Sequence, residues 1–401
     1  MRRLSLGLLL VFVFTIPWQA AIPSEWRTLL GAIALLSALT TCSIERRVVR
    51  PPAFFFAVLA FICWQLASYF WSVNPEFTVN RVTAMVPMFA LVWLVIELGG
   101  GNRERYALLQ AFVLGCVVLS IAVIQSYLAD GVGVGHRFAP ADFSLNESAD
   151  MLAAGIAMAL LNIAGRPKGA FFWINIAYVP LGLFGVVLTG SRSGFVLAGV
   201  AIMVGVFLVL VKQRAVYRIA WLVVFLGVLV GLFFGMAEHQ TLQENVKRVT
   251  FSLETSSLDT LTGRTTIWST GLESFKEHLF TGTGAGTFRL ATQAKMGWAW
   301  SAHSLVVETA VEGGLMGLLL LALLLATAVA PVVLRRNPRL HLWLLLFLVL
   351  VGTSLVANFT TLFSLWFGFA IIAANASAPE TQISVKDPEE RPDSPLPLLE
   401  E

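Results

Sequence analysis

Two arginines and one histidine stand in settings where their side chains could do chemistry. Arg192 lies in Thr189-Gly190-Ser191-Arg192-Ser193-Gly194, Arg264 in Thr262-Gly263-Arg264-Thr265, and His303 in Ser301-Ala302-His303-Ser304. Each follows a short polar turn at the mouth of an apolar or amphipathic segment. Ser191 or Ser193, Thr262 and Ser301 are residue types that cap helix N-termini. Such ends carry partial positive charge and unpaired N–H groups, which favour anions. An arginine fork at two of them suits a diphosphate. A histidine at a helix start is held toward its neutral form, the form able to accept a proton. The competing readings are an arginine reaching headgroups, a solvated loop charge, and a structural histidine at a membrane boundary.

The elements that must position these residues are written in the composition. Of 401 residues 57% are hydrophobic and 13% charged, about half the charge of a soluble domain. Apolar stretches of about 20 residues recur along the chain, the signature of an all-α polytopic membrane protein. About 12 spans are expected, near 4–21, 27–43, 52–71, 79–98, 106–128, 148–164, 170–188, 193–211, 218–237, 304–333, 340–356 and 359–376. Met1-Arg2-Arg3 and the apolar run after it resemble a signal peptide. Pro17, Trp18 and the second apolar segment close behind favour a retained first helix.

With the N-terminus inside, fifteen Lys and Arg fall on the inner short segments. The outer short loops hold four: Arg27, Arg81, Arg137 and Arg192. The positive-inside rule then places both termini in the cytoplasm. Arg192, Arg264 and His303 share the outer side. Residues 1–378 read as one integral membrane domain with a long outer loop at 238–302. The Pro- and Glu-rich stretch 379–401 reads as a disordered cytoplasmic tail.

Within the loop, Trp268, Leu272, Phe275 and Leu279 recur as an amphipathic helical stripe that puts Arg264 in the first turn. The turn Thr281-Gly282-Thr283-Gly284-Ala285-Gly286-Thr287-Phe288 follows. It lacks the preceding strand of a dinucleotide fingerprint. A tight turn letting backbone approach backbone is one reading. An amide nest for phosphate oxygens, with Gly284 in it, is the other.

Ser304, Glu308 and Glu312 share a helix face and could run a polar stripe into the bundle, where charges are costly and usually functional. Neither the histidines nor Cys42, Cys63 and Cys116 show metal-ligand spacing, so no metal or cofactor is expected.

Taken in order, these pieces resemble the O-antigen ligase and O-antigen polymerase superfamily of bacterial envelope proteins, over about 65–375. The pieces are Trp71-Ser72-Val73-Asn74-Pro75, Arg137 with Asn146, the turn at 189–194, Thr262-Gly263-Arg264, Gly282-Thr283-Gly284, and His303-Ser304 leading to Glu312-Gly313-Gly314-Leu315-Met316-Gly317. The resemblance implies a metal-independent, inverting glycosyltransferase of the membrane-embedded type, in the bacterial inner membrane with a periplasmic active site. Its donor would be a glycan on undecaprenyl diphosphate. In the ligase branch the acceptor is the lipid A–core oligosaccharide. Membrane lipids are further partners, and nucleic acid is not. Carried over, Arg192 and Arg264 would hold the diphosphate and His303 would be the general base. Arg137 would contribute too, although His136-Arg137-Phe138 lacks the usual glycine after the arginine. A polymerase extending the lipid-linked glycan, and a lipid-glycan transporter, are the alternatives.

Overall fold

A computed structural model describes residues 1–46, 48–130, 137–165, 169–211, 258–334, 341–356 and 362–376. Every regular element among them is helical. In chain order these are α1 (Arg2–Thr15), a 3₁₀ turn (Ile16–Ala21), α2 (Ser24–Glu45), α3 (Ala53–Ala67), a second 3₁₀ turn (Ser68–Phe70), α4 (Pro75–Leu98) and α5 (Asn102–Asp130). There follow α6 (Leu145–Gly165), α7 (Ala170–Thr189), α8 (Arg192–Val211), α9 (Leu258–Glu277), α10 (Phe288–Met296), α11 (Leu305–Leu334), α12 (His341–Val356) and α13 (Phe363–Ala376). Among the described residues, eight segments are long and apolar enough to cross a membrane: those containing α1 to α7, and α11. Helices within α8, α12 and α13 are apolar but shorter. Eleven of the twelve expected spans therefore coincide with apolar helices. The one near 218–237 lies outside the described residues, as do 238–257 of the long loop and the tail.

α6 is the hub, packing on α5, α7, α8 and α12. Its Ala, Gly and Ser residues leave room for neighbouring backbones, which matters where lipid is as apolar as any side chain. Gly155 faces Tyr178 and Cys116, and Tyr178 donates its hydroxyl hydrogen to the Leu152 carbonyl at 2.9 Å.

The loops sort into two ends. At one, Arg2 donates to the Glu97 carbonyl, the Val49 amide to the Glu97 carboxylate, and Arg105 to the carbonyls of Gly100 and Ala374. At the other gather the starts of α4, α6, α8 and α11 with the residues around α9 and α10. This is the alternation the charge pattern predicts.

Candidate functional site

α11 is broken where the sequence reads Gly313-Gly314. Gly314 has φ 66° and ψ −160°, a conformation open to glycine and costly for other residues. A break within an apolar helix strands backbone groups that must be paired. Here the glycine-rich turn pairs them. Thr283 and Gly284 donate their amides to the carbonyls of Val311 and Glu312 at 2.9 and 3.0 Å. Trp64 Nε1 donates to the Gly313 carbonyl at 3.0 Å. Beyond the break, the amides of Leu315 and Met316 donate to Leu279 and Phe280.

The Trp71–Pro75 motif holds the turn from its other side. Trp71 Nε1 donates to Thr281 O at 3.0 Å and the Val73 amide to Thr283 O at 3.0 Å. Ser72 packs against Gly284, and Asn74 caps α4. Of the two readings of the turn, the geometry matches backbone on backbone. Gly284 is buried and its amide is committed to Glu312, so its contribution is to the shape of the site.

Two carboxylates brace the same region. Arg81, in α4, pairs with Glu308 at 3.0 Å and stands 3.7 Å from Glu312. Glu312 also accepts from the Phe288 amide at 3.1 Å, placing negative charge at the start of α10. The polar stripe of Ser304, Glu308 and Glu312 thus exists, buried, but both of its acids serve an ion pair. Sequence reasoning missed Arg81 by counting it as an outer-loop charge. The available signal was an arginine and two acids in separate apolar runs, since ionisable groups there usually pair.

Arg264 corrects an expectation. α9 begins at Leu258, so Arg264 lies in its second turn rather than its first, and Thr262 is not its cap. The packed face is Ile267, Thr270, Gly271 and Ser274; Leu272 and Leu279 of the expected stripe are exposed. Trp268, four residues after Arg264 and on its side of the helix, donates to Ala302 O at 2.8 Å. The helix bearing the arginine thereby holds the residue beside His303.

His303 has φ 47°, in the left-handed region that histidine visits at some cost. α11 starts at Leu305, so Ser304 rather than Ser301 is the residue preceding it. Ser301 instead accepts from Arg289 Nε at 3.0 Å. Burial holds the His303 pKa below 6.5, helped by the positive charges of Arg264 and Arg289 and opposed by Glu308. The imidazole is therefore neutral at pH 7. The cause differs from the expected helix end, being mainly lost solvent and neighbouring cations.

Arg192 opens α8, half-buried, and Ser191 caps that helix, accepting from the Gly194 amide at 3.4 Å. Gly194 backs onto Ala149 of α6, which sets the turn beside Asp150. Asp150 is buried, faces Ser193, and lies within electrostatic reach of Arg264. Among the described residues, neither of its oxygens closes a hydrogen bond of good geometry. Arg264 thus lies within electrostatic reach of both His303 and the acid flanking the Arg192 turn. Asp150 was not foreseen, although an acid in an apolar run was its signal. Arg137 donates Nε to Thr189 O at 2.8 Å and Nη2 to Asn146 at 2.9 Å. Those bonds brace the turn that carries Arg192.

Residues 177–322, from mid-α7 past the break in α11, match the family model described as O-antigen ligase. That match supports the O-antigen ligase/polymerase superfamily for this part of the chain. The matched part holds Arg192, Arg264, His303, Glu308 and Glu312; Arg81, Arg137 and Asp150 lie before it. No curated protein matches the chain. The match, with the apolar helices, indicates a membrane protein with glycosyltransferase-like ligase or polymerase activity on lipid-linked glycan.

Proposed function

We propose that the chain is an O-antigen ligase, transferring a glycan from undecaprenyl diphosphate to a sugar hydroxyl of the lipid A–core oligosaccharide at the periplasmic face of the inner membrane. What supports this most is that Arg264 lies within electrostatic reach of both His303 and Asp150, the acid beside the Arg192 turn. An anion clamp and a neutral base then share one end of the molecule. The acceptor hydroxyl attacks the anomeric carbon as His303 takes its proton. The bond to the diphosphate breaks on the opposite face of the sugar, which inverts the anomeric centre. Arg192 and Arg264 take up the negative charge growing on the leaving group. Fixed cations are effective here because they need no reorganisation during the reaction. Loss of one such contact typically costs about 3 kcal/mol, roughly 100-fold in rate.

A polymerase uses the same leaving group and differs in its acceptor. Purified protein given lipid-linked glycan, rough lipopolysaccharide and chelator separates the two. The ligase reading expects glycan on lipopolysaccharide. Elongated lipid-linked glycan would make it a polymerase, and no covalent product would favour a transporter.

A further inference from the structure

The end opposite the candidate site carries a cavity. α1, α5, α6 and α7 border a groove of about 560 Å³, the size of a ligand pocket. It opens on the flank of the bundle, where Val11 and Phe171 are each 50% exposed. Leu10, Phe14, Ala107 and Leu114 form apolar walls, and Gln110 with Asn162 supplies a polar floor. These two amides are 8% and 1% exposed. Asn162 and Asn175 both donate to Gln110 Oε1, at 3.2 and 2.6 Å. Gln110 Nε2 and Asn162 Oδ1 are left without a partner among the described residues. A buried amide in apolar surroundings calls for a hydrogen-bonding ligand.

Helical spacing extends the groove toward two cations. Arg3, Leu10 and Phe14 recur on one face of α1, and Arg103, Ala107, Gln110 and Leu114 on one face of α5. The two helices run in the same direction, with Gly115 backed onto the Phe14 carbonyl. Arg3 and Arg103 are therefore level, exposed, and about 10 Å along the axes from Gln110.

We propose that this groove holds an anionic glycerophospholipid of the leaflet on the N-terminal side. An acyl chain fills the apolar walls, and an ester carbonyl accepts from Gln110 Nε2. Water hydrating the ester serves Asn162 Oδ1, and the phosphate lies between Arg3 and Arg103. The proposal rests on the chain spanning a membrane and is independent of the reaction assigned to the other end.

Native mass spectrometry of the purified full chain, titrated with phosphatidylglycerol or phosphatidylcholine, tests it. One phosphatidylglycerol should be retained per chain, favoured over phosphatidylcholine by roughly tenfold or more. Gln110→Leu should weaken both lipids. Ala107→Trp, which fills the groove, should abolish retention. The double variant Arg3→Ala/Arg103→Ala should erase the preference for phosphatidylglycerol. Equal binding of the two lipids by the unaltered chain, or unchanged retention in Ala107→Trp, would overturn the proposal. Displacement by polyprenyl phosphate below the phosphatidylglycerol concentration would overturn the assignment to a glycerophospholipid.

Discussion

His303 shows why the choice of substitution decides what an experiment reports. Its left-handed backbone is tolerated better by asparagine than by most residues. His303→Asn should therefore leave the melting temperature near that of the unaltered protein while lowering the transfer rate about 100- to 10,000-fold. His303→Ala adds backbone strain and confuses the two effects. The acid side of the pH–rate profile offers a second check. Positive charge from Arg289 helps hold the His303 pKa below 6.5, so Arg289→Ala should raise it. The imidazole then protonates at a higher pH, and the acid limb of kcat/KM moves upward. A limb that stays in place would show that another group titrates there.

The elements matter because they hold these side chains through backbone groups. Trp268 pins Ala302. Trp268→Phe removes one hydrogen bond, worth about 1 kcal/mol of stability. Misplacing a base by about 1 Å can cost roughly 100-fold in rate. Activity should thus fall far more than thermal stability does, and parallel rate and melting measurements would show it. The Arg81 cluster predicts the reverse. Arg81→Met strands Glu308 and Glu312, and breaking such a buried pair costs about 3–5 kcal/mol. A melting point unchanged in that variant would mean the pair contributes nothing to the fold. The spans were legible because one period repeats over some 20 residues. The start of α9 was not, because Arg264 follows Thr262-Gly263, a sequence that looks like a helix start yet lies within the helix. Nor was the break in α11 legible as a junction. Glu312-Gly313-Gly314 reads as a weak spot, but the carbonyls of Val311, Glu312 and Gly313 are satisfied by Thr283, Gly284 and Trp64, residues far away in the chain.

Across the whole molecule, charge and hydrogen bonding agree on two distinct ends. Arg2, Val49, Arg105 and Ala374 meet around Glu97 and Gly100, while the candidate site occupies the other end. Cysteine scanning in a strain lacking other reactive thiols tests the orientation. Trp298 is 73% exposed and Val48 is 61% exposed. Trp298→Cys in intact cells should react with an impermeant maleimide, and Val48→Cys should react only after permeabilisation. The reverse pattern would place His303 on the cytoplasmic face.

On the proposed mechanism Arg192, Arg264 and His303 act on one diphosphate-linked sugar without help from a metal. The initial rate of glycan transfer by purified protein in excess chelator tests this, for the unaltered chain, Arg192→Lys, Arg264→Lys and His303→Asn. Lysine keeps the charge but loses the fork that matches a diphosphate. Full activity is expected for the unaltered chain, a fall of about 100-fold or more for His303→Asn, and a clear loss in each lysine variant. A chain silenced by chelator, or a His303→Asn variant that transfers glycan at the normal rate, would contradict that mechanism.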